Sequence, residues 1–276
     1  MSKLLTDSGL YEVIQQAKEY ISSNSKIEIP KTETEFRNLS WSELKTLSDQ
    51  CAKTDGSEYK HLIGYRKYIN LDKNISGLIN IYSFTTRLVD INYEYESIRG
   101  FTFFVEPDKD FSNYFGYNII DKIAEYYQTS LYSTVMAAFQ KLQEDAERLP
   151  NASDNQEVLD LLKNVSNVTI KENTPSKGVN SGTKVYFYSP SAYEILGSTT
   201  YGKDGYRQFE YFKNGGQSVR SFANPWWTRT VSNEGTGKWR SITTAGGATN
   251  NYGPSNKGTT SSLPYGPVTY PFCFAL

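Results

Sequence analysis

The residue types best suited to chemistry lie in the last third of the chain. Between Asn233 and Tyr265 the aromatic residues Trp239, Tyr252 and Tyr265 are interleaved with Arg240, Asn250, Asn251 and Asn256, among Gly, Ser and Thr. Aromatic rings stack on the apolar faces of sugars and peptides, while amides and hydroxyls bond to their edges. Stiff aromatics set among small, adaptable polar residues also make up the vocabulary of antibody combining loops. Trp239, Arg240, Asn250, Asn251, Tyr252 and Tyr265 are therefore the candidate ligand-binding residues. The same stretch also reads as a connecting loop or as an interface with a neighbouring protein.

Catalysis finds less support. The chain has one histidine, His61, which leaves no Ser-His-Asp or Cys-His pairing without it and no multi-histidine metal site. His61 reads as an ordinary, partly buried residue at the start of a strand. No phosphate-cradling loop or dinucleotide fingerprint is present, and Gly246-Gly247 lack the basic and hydroxyl residues that would follow. Carboxylate-only hydrolysis needs two acids held across a cleft. Glu94 with Glu96, Asp108 with Asp110, and Asp204 with Glu210 are the available pairs, and each reads as solvated and structural. Asp108-Lys109-Asp110 is too short for a calcium loop. The expectation is no enzyme, no cofactor and no metal.

The elements that must position the C-terminal residues follow from periodicity. Leu10, Val13, Ile14, Ala17 and Ile21 fall on one helical stripe, with Thr6, Asp7 and Ser8 as cap candidates. That helix either docks on its own domain or pairs with copies of itself or a neighbour. Ser40 and Glu43 have the spacing of a capping box, and Leu44, Leu47 and Cys51 make the buried stripe behind it. From Tyr59 to Glu106 the β-branched and aromatic content predicts strands, with turns at Asn74–Gly77 and near Gly100. Two further helical stripes run from Tyr117 to Leu149, ended by Pro150. Val158 to Ile170 then leads to a Gly/Pro/Ser-rich link at Thr174–Gly182. Val185 onward reads as a strand followed by a helical turn, with Ser189 and Ser191 near its start. Trp226-Trp227 and Phe272 to Leu276 read as two core strands that pair and close the domain around the polar middle.

In this order the parts resemble a family of uncharacterised domains found in phage tail proteins and in surface proteins of Gram-positive bacteria. The matching residues are Ser40-Trp41 with its helix, Leu62-Ile63-Gly64 with Lys67-Tyr68-Ile69, and Val185 to Ser189 with Glu194. Gln208 to Phe212, Trp226-Trp227-Thr228-Arg229-Thr230 and Pro271-Phe272-Cys273-Phe274 complete the set. The match spans roughly residues 36 to 276. It departs from the family where Ile91-Asn92-Tyr93-Glu94 lacks a histidine and where Thr269-Tyr270 precede Pro271 in place of arginine. Trp226, Trp227, Arg229, Phe272 and Phe274 carry the structural motif, with Arg229 as a hydrogen-bonding anchor. The opening residues, Lys3 to Ile21, are similar to those of many Gram-positive phage tail and baseplate proteins.

The resemblance implies an α+β fold. Residues 1–30 would form an anchoring and oligomerising helix, with a homotrimer expected. Residues 31–276 would form a mixed domain of antiparallel strands, two or three helices and C-terminal recognition loops; separately, the layout of a late Trp-rich strand, a polar loop region and a final strand is similar to that of C-type-lectin-like domains. The family resemblance implies a virion tail component, made in the host bacterial cytoplasm, with other tail or baseplate proteins and host cell-wall carbohydrate as partners. A purely structural tail protein is the alternative, and a wall-degrading enzyme the least supported reading.

Composition is consistent with this. The 276 residues carry a net charge of −1, which supplies no electrostatic case for nucleic acid or an anionic membrane. No stretch has the length of a membrane span and no signal pattern opens the chain. The chain has 22 tyrosines against 14 phenylalanines, and most are expected at half-buried strand positions. Cys51 and Cys273, the two cysteines, sit in apolar settings and are expected as buried free thiols, although a bridge stays open.

Overall fold

A computed structural model describes residues 26–70, 83–94, 99–106, 156–174, 178–201, 204–222, 225–231, 239–249 and 271–276. The N-terminal helical stripe, the turn at Asn74–Gly77 and the helices expected between Tyr117 and Leu149 lie outside the described residues.

Two helices open the described chain. Helix α1 (Glu33–Asn38) is capped by Thr32, whose side chain accepts from the Glu35 N–H. Helix α2 (Trp41–Ala52) starts from the expected capping box, with Ser40 and Glu43 satisfying each other's backbone amides. Its apolar stripe buries Trp41, Leu44, Leu47 and Cys51. A 3-10 turn (Ser57–Leu62) follows, so His61 lies in that turn and not at the start of a strand.

A five-stranded antiparallel sheet forms the centre. Its strands are β1 (Arg66–Asn70), β2 (Ser83–Ile91), β3 (Phe101–Val105), β6 (Phe187–Tyr188) and β10 (Cys273–Ala275), in the order β1-β2-β3-β10-β6. The last strand of the chain thus lies inside the sheet, pairing Phe274 with Phe103 on one side and with Phe187 on the other. Every residue of β3 and β10 is buried, as expected of strands covered on both faces. On one face Phe103 stacks on Phe274 at 5.2 Å and 9°, and the Trp41 ring meets both edge-on at 5.4 and 5.7 Å. On the other face Phe104 meets Phe212 at 5.3 Å and Trp226 at 5.7 Å.

The chain end is locked by a close approach. Ser48 Oγ accepts the Phe101 N–H at 2.8 Å and donates to the Leu276 carbonyl at 2.8 Å. Gly100 sits beside them at φ +135°, where a Cβ would lie 2.3 Å from Ser48 Oγ. Only glycine fits there.

Helix α3 (Gln156–Asn164) packs against α2 through Asp160, whose carboxylate accepts from the Ser42 hydroxyl at 2.5 Å and its N–H at 3.2 Å. Strands β4 (Val168–Thr174) and β5 (Gly178–Val185) form a long hairpin. The Gly/Pro/Ser-rich stretch is therefore largely strand, not link. Short helices α4 (Ala192–Leu196) and α5 (Glu210–Gly215) cover the second face of the central sheet. With them lies a three-stranded meander of β7 (Trp226–Val231), β8 (Trp239–Ile242) and β9 (Ala248–Thr249).

The fold is α+β, with helices and antiparallel sheet together. A further expectation is corrected. The two apolar ends of the C-terminal third do not pair with each other, because β7 belongs to the meander and β10 to the central sheet. Both are buried, but in separate hydrogen-bonded layers. Cys51 and Cys273 are free and buried, and burial pushes the Cys51 thiol up to about 12.

Candidate functional site

Beneath the meander lies a cluster of buried polar side chains, built around Glu194. Ser191 caps α4 and Glu194 closes its capping box, accepting the Ser191 N–H at 2.8 Å. The same carboxylate receives both Nη atoms of Arg229 from β7, Nη2 at 2.7 Å, and the Tyr93 hydroxyl at 2.9 Å. Arg229 donates further to the carbonyls of Ser189 at 2.9 Å and Asp204 at 3.0 Å, and lies over the Tyr188 ring at 5.5 Å. Both members of the pair are almost wholly buried, so each charge is compensated by the other and by fixed dipoles.

Tyr93 and Asp204 extend the cluster. The Tyr93 oxygen accepts the Tyr206 and Arg207 N–H groups at 2.8 and 3.3 Å, pinning the 204–209 loop to the end of β2. Asp204 Oδ2 accepts from the Thr230 hydroxyl at 2.7 Å, and that hydroxyl accepts the Ala192 N–H at 2.7 Å. Asp204 Oδ1 is buried with no hydrogen-bond partner among the described residues. Burial pushes the Asp204 carboxyl up to about 6, against the pull of Arg229.

A second ion pair stands beside the first. Phe209 precedes α5 and offers no capping side chain, so Asp90 from β2 accepts the Glu210 N–H at 3.0 Å. Asp90 also takes a two-pronged contact from Arg207, at 2.7 and 2.8 Å. A register shift between β2 and β3 at Leu88/Asp90 turns this carboxylate to that task. Desolvation raises the Asp90 carboxyl to about 6 even with Arg207 beside it.

These shifts set a pH dependence. A carboxylate whose folded pKa exceeds its unfolded value takes up protons on folding, so its stabilising contribution is present at low pH and lost as pH rises through about 6. Stability is expected to rise as pH falls from 7 towards 5. Glu33, held at about 2 by hydrogen bonds from Arg66, brings the opposite loss only below about 4.5. Urea unfolding of the wild type and Asp204→Asn at pH 5 and pH 8 tests this. The wild-type advantage should be larger at pH 5, by on the order of 1–3 kcal/mol. An advantage equal at both pH values would exclude it.

The structure distributes the sequence candidates unevenly. Arg240 lies in β8 with only 5% of its surface accessible, so it belongs to the base of the meander and not to an exposed ligand surface. Its carbonyl accepts from the Thr228 hydroxyl at 3.0 Å, tying β8 to β7. Trp239 begins β8, its backbone paired with Val231. Asn250, Asn251, Tyr252 and Tyr265 lie outside the described residues. Trp226 is fully buried and donates its indole N–H to the Arg220 carbonyl at 3.2 Å, and Trp227 continues the strand. Phe272 and Phe274 are buried beside Cys273.

Arg229 is the anchor the sequence suggested. Tyr93, Asp90 and Arg207 carry no signal of this cluster in the sequence, and Asp204 reads there as a solvated acid. The one local signal was the Ser191-x-x-Glu194 spacing, because a capping box marks where a glutamate side chain is held.

Among the described residues no group of His, Cys, Asp and Glu could hold a metal ion, and no helix is long and apolar enough to cross a membrane. No protein-family model matches the chain, and no match was found among curated proteins or solved structures.

Proposed function

We propose that this chain is a component of a bacteriophage or phage-like tail tip or baseplate that reads a host-surface carbohydrate. The recognition elements are Trp239 at the start of β8 and the segments joining β7 to β8 and β9 to β10, residues 232–238 and 250–270. The observation that supports this is the contrast between those segments and their base. The base is pinned by the buried Glu194–Arg229 pair and by the Thr228 hydroxyl bond. The segments themselves are rich in Gly, Ser, Thr, Asn and Tyr, including Asn250, Asn251, Tyr252 and Tyr265. A rigid scaffold carrying variable polar loops is the usual arrangement of recognition surfaces. We infer a C-type-lectin-like arrangement for this part, with the N-terminal helix as the anchoring and trimerising element.

The test is binding of the purified full chain to cell walls from a panel of Gram-positive bacteria, with Trp239→Ala and Tyr252→Ala alongside. Each substitution is expected to weaken binding roughly five- to tenfold, the size of one aromatic stacking contact. Full-strength binding by both variants would remove this region from the site. Absence of wall binding together with a stable complex with another tail protein would favour a purely structural role. Clearing of the walls would mark an enzyme.

A further inference from the structure

We propose that helix α1 guards the open edge of the central sheet against pairing with a second copy of this chain. At Arg66 it fills the two hydrogen-bonding positions that a neighbouring strand would take. Strand β1 is outermost in the order β1-β2-β3-β10-β6, so one of its sides has no strand beside it among the described residues. Along an antiparallel strand the backbone groups point alternately towards the partner and away from it. The Leu88 N–H donates to the Tyr65 carbonyl at 2.9 Å, which fixes the phase. With Arg66 opposite Arg87 and Tyr68 opposite Thr85, Lys67 and Ile69 turn their backbone groups to β2, while Arg66 and Tyr68 turn theirs outward. The Thr85 carbonyl agrees, because it accepts the Glu106 N–H on its other side at 2.9 Å.

At Arg66 the outward groups are already taken. Its N–H donates to Glu33 Oε1 at 2.9 Å, and its carbonyl accepts from Arg37 Nε at 3.3 Å. One side-chain acceptor and one side-chain donor thus stand where the next strand's C=O and N–H would stand. Glu33 and Arg37 lie one helical turn apart on α1 and are themselves paired at 3.0 Å. The Arg66 side chain joins them, with Nε 2.9 Å from Glu33 Oε1.

Two further contacts make the guard permanent. Lys67, on β1 itself, fastens the end of α1: its Nζ donates to the carbonyls of Arg37 and Leu39 at 3.1 and 2.7 Å. Hydrogen bonds from Arg66 hold the Glu33 carboxyl at about 2, so it stays ionised at any ordinary working pH.

The next outward position is uncovered. The Tyr68 N–H and carbonyl have no hydrogen-bond partner among the described residues, and the side chain is exposed. Arg37 covers only the ring, its guanidinium 4.9 Å from the centroid. An edge strand with free N–H and C=O groups is a template for another chain. A second copy fits this one. Antiparallel pairing about Tyr68 sets Tyr68 against its own copy, Lys67 against Ile69 and Arg66 against Asn70, with no like charges opposed. Most of the bonds in that pairing run through Arg66, so with its groups taken by α1 only those at Tyr68 remain.

The test compares three full-length chains: wild type, Glu33→Ala with Arg37→Ala, and that pair with Tyr68→Pro added. Proline at position 68 removes an N–H that points away from β2 and leaves the β1–β2 ladder bonded. Sedimentation at matched concentration should give the double variant about twice the mass of the wild type, and the triple variant the wild-type mass again. Amide exchange read residue by residue keeps the proposal testable on the wild type alone. There Arg66, Lys67 and Ile69 should exchange slowly and Tyr68 about tenfold faster or more. In the double variant Tyr68 should become slow, with slow exchange in α2 confirming that the chain is folded. A folded double variant of wild-type mass, extra association that survives Tyr68→Pro, or a wild-type Tyr68 amide as slow as its neighbours overturns the proposal.

Discussion

Glu194→Ala and Arg229→Ala are each expected to lower the free energy of unfolding by about 3–5 kcal/mol, the usual cost of leaving half of a buried ion pair uncompensated. The pair joins the first turn of α4 to the middle of β7, and neither partner reaches water. Without Glu194, Arg229 loses the carboxylate that receives both its Nη atoms, and the Tyr93 hydroxyl loses its 2.9 Å acceptor, with the Arg207 carbonyl remaining at 3.2 Å. Without Arg229, the carboxylate keeps the Ser191 N–H and the Tyr93 hydroxyl against a full buried charge. Urea unfolding of both single variants and of the double variant checks this. The double variant should lose clearly less than the sum of the two, because it buries no unpaired charge. Single losses under about 1 kcal/mol would show that the site is open to water.

Phe274→Ala carries the second large effect, a loss of about 3–5 kcal/mol, typical of an aromatic ring removed from a close-packed core. Phe274 lies on the strand that joins the β1-β2-β3 side of the sheet to β6. Its ring is sandwiched against Phe103 and the edge of Trp41, so the neighbours have little freedom to collapse into the space. Tyr68→Ala serves as a contrast. That ring is 41% exposed, and its removal should cost under about 1 kcal/mol. Equal losses for the two would mean that β10 is not an interior strand.

Local signals were legible where they concern neighbours in sequence. The Ser40 and Glu43 capping box starts α2 as expected, and Ser191 starts α4. The first is read from a spacing of three and the second only as a serine near the start of a helical turn, and both caps depend on amides within one helical turn. The apolar run Phe272 to Leu276 reads as a core strand. Its composition could not say which strands flank it, because an unbroken apolar run has no polar face to set orientation.

Polar residues misled more than apolar ones. Arg240, among glycines and hydroxyl residues, read as an exposed contact, yet it lies in a buried strand. Asp204 read as a solvated acid and is buried beside Thr230. Sequence alone supports the bias that charge lies outside, and only a partner brought by the fold reverses it.

By itself the sequence determined the mixed α and β character, the positions of two helix starts and the apolar nature of β3 and β10. It also identified Arg229 as an anchor and supplied no constellation for histidine-based catalysis. The tertiary structure decided that the last strand is inserted between β3 and β6, and that Glu194 meets Arg229 across 35 residues. It decided as well that Asp90 caps a helix 120 residues further on. The reason is the range of the interactions. Caps and periodicity act within a turn or a pleat, whereas a buried charge is compensated by whichever partner the packed layers bring within hydrogen-bond reach.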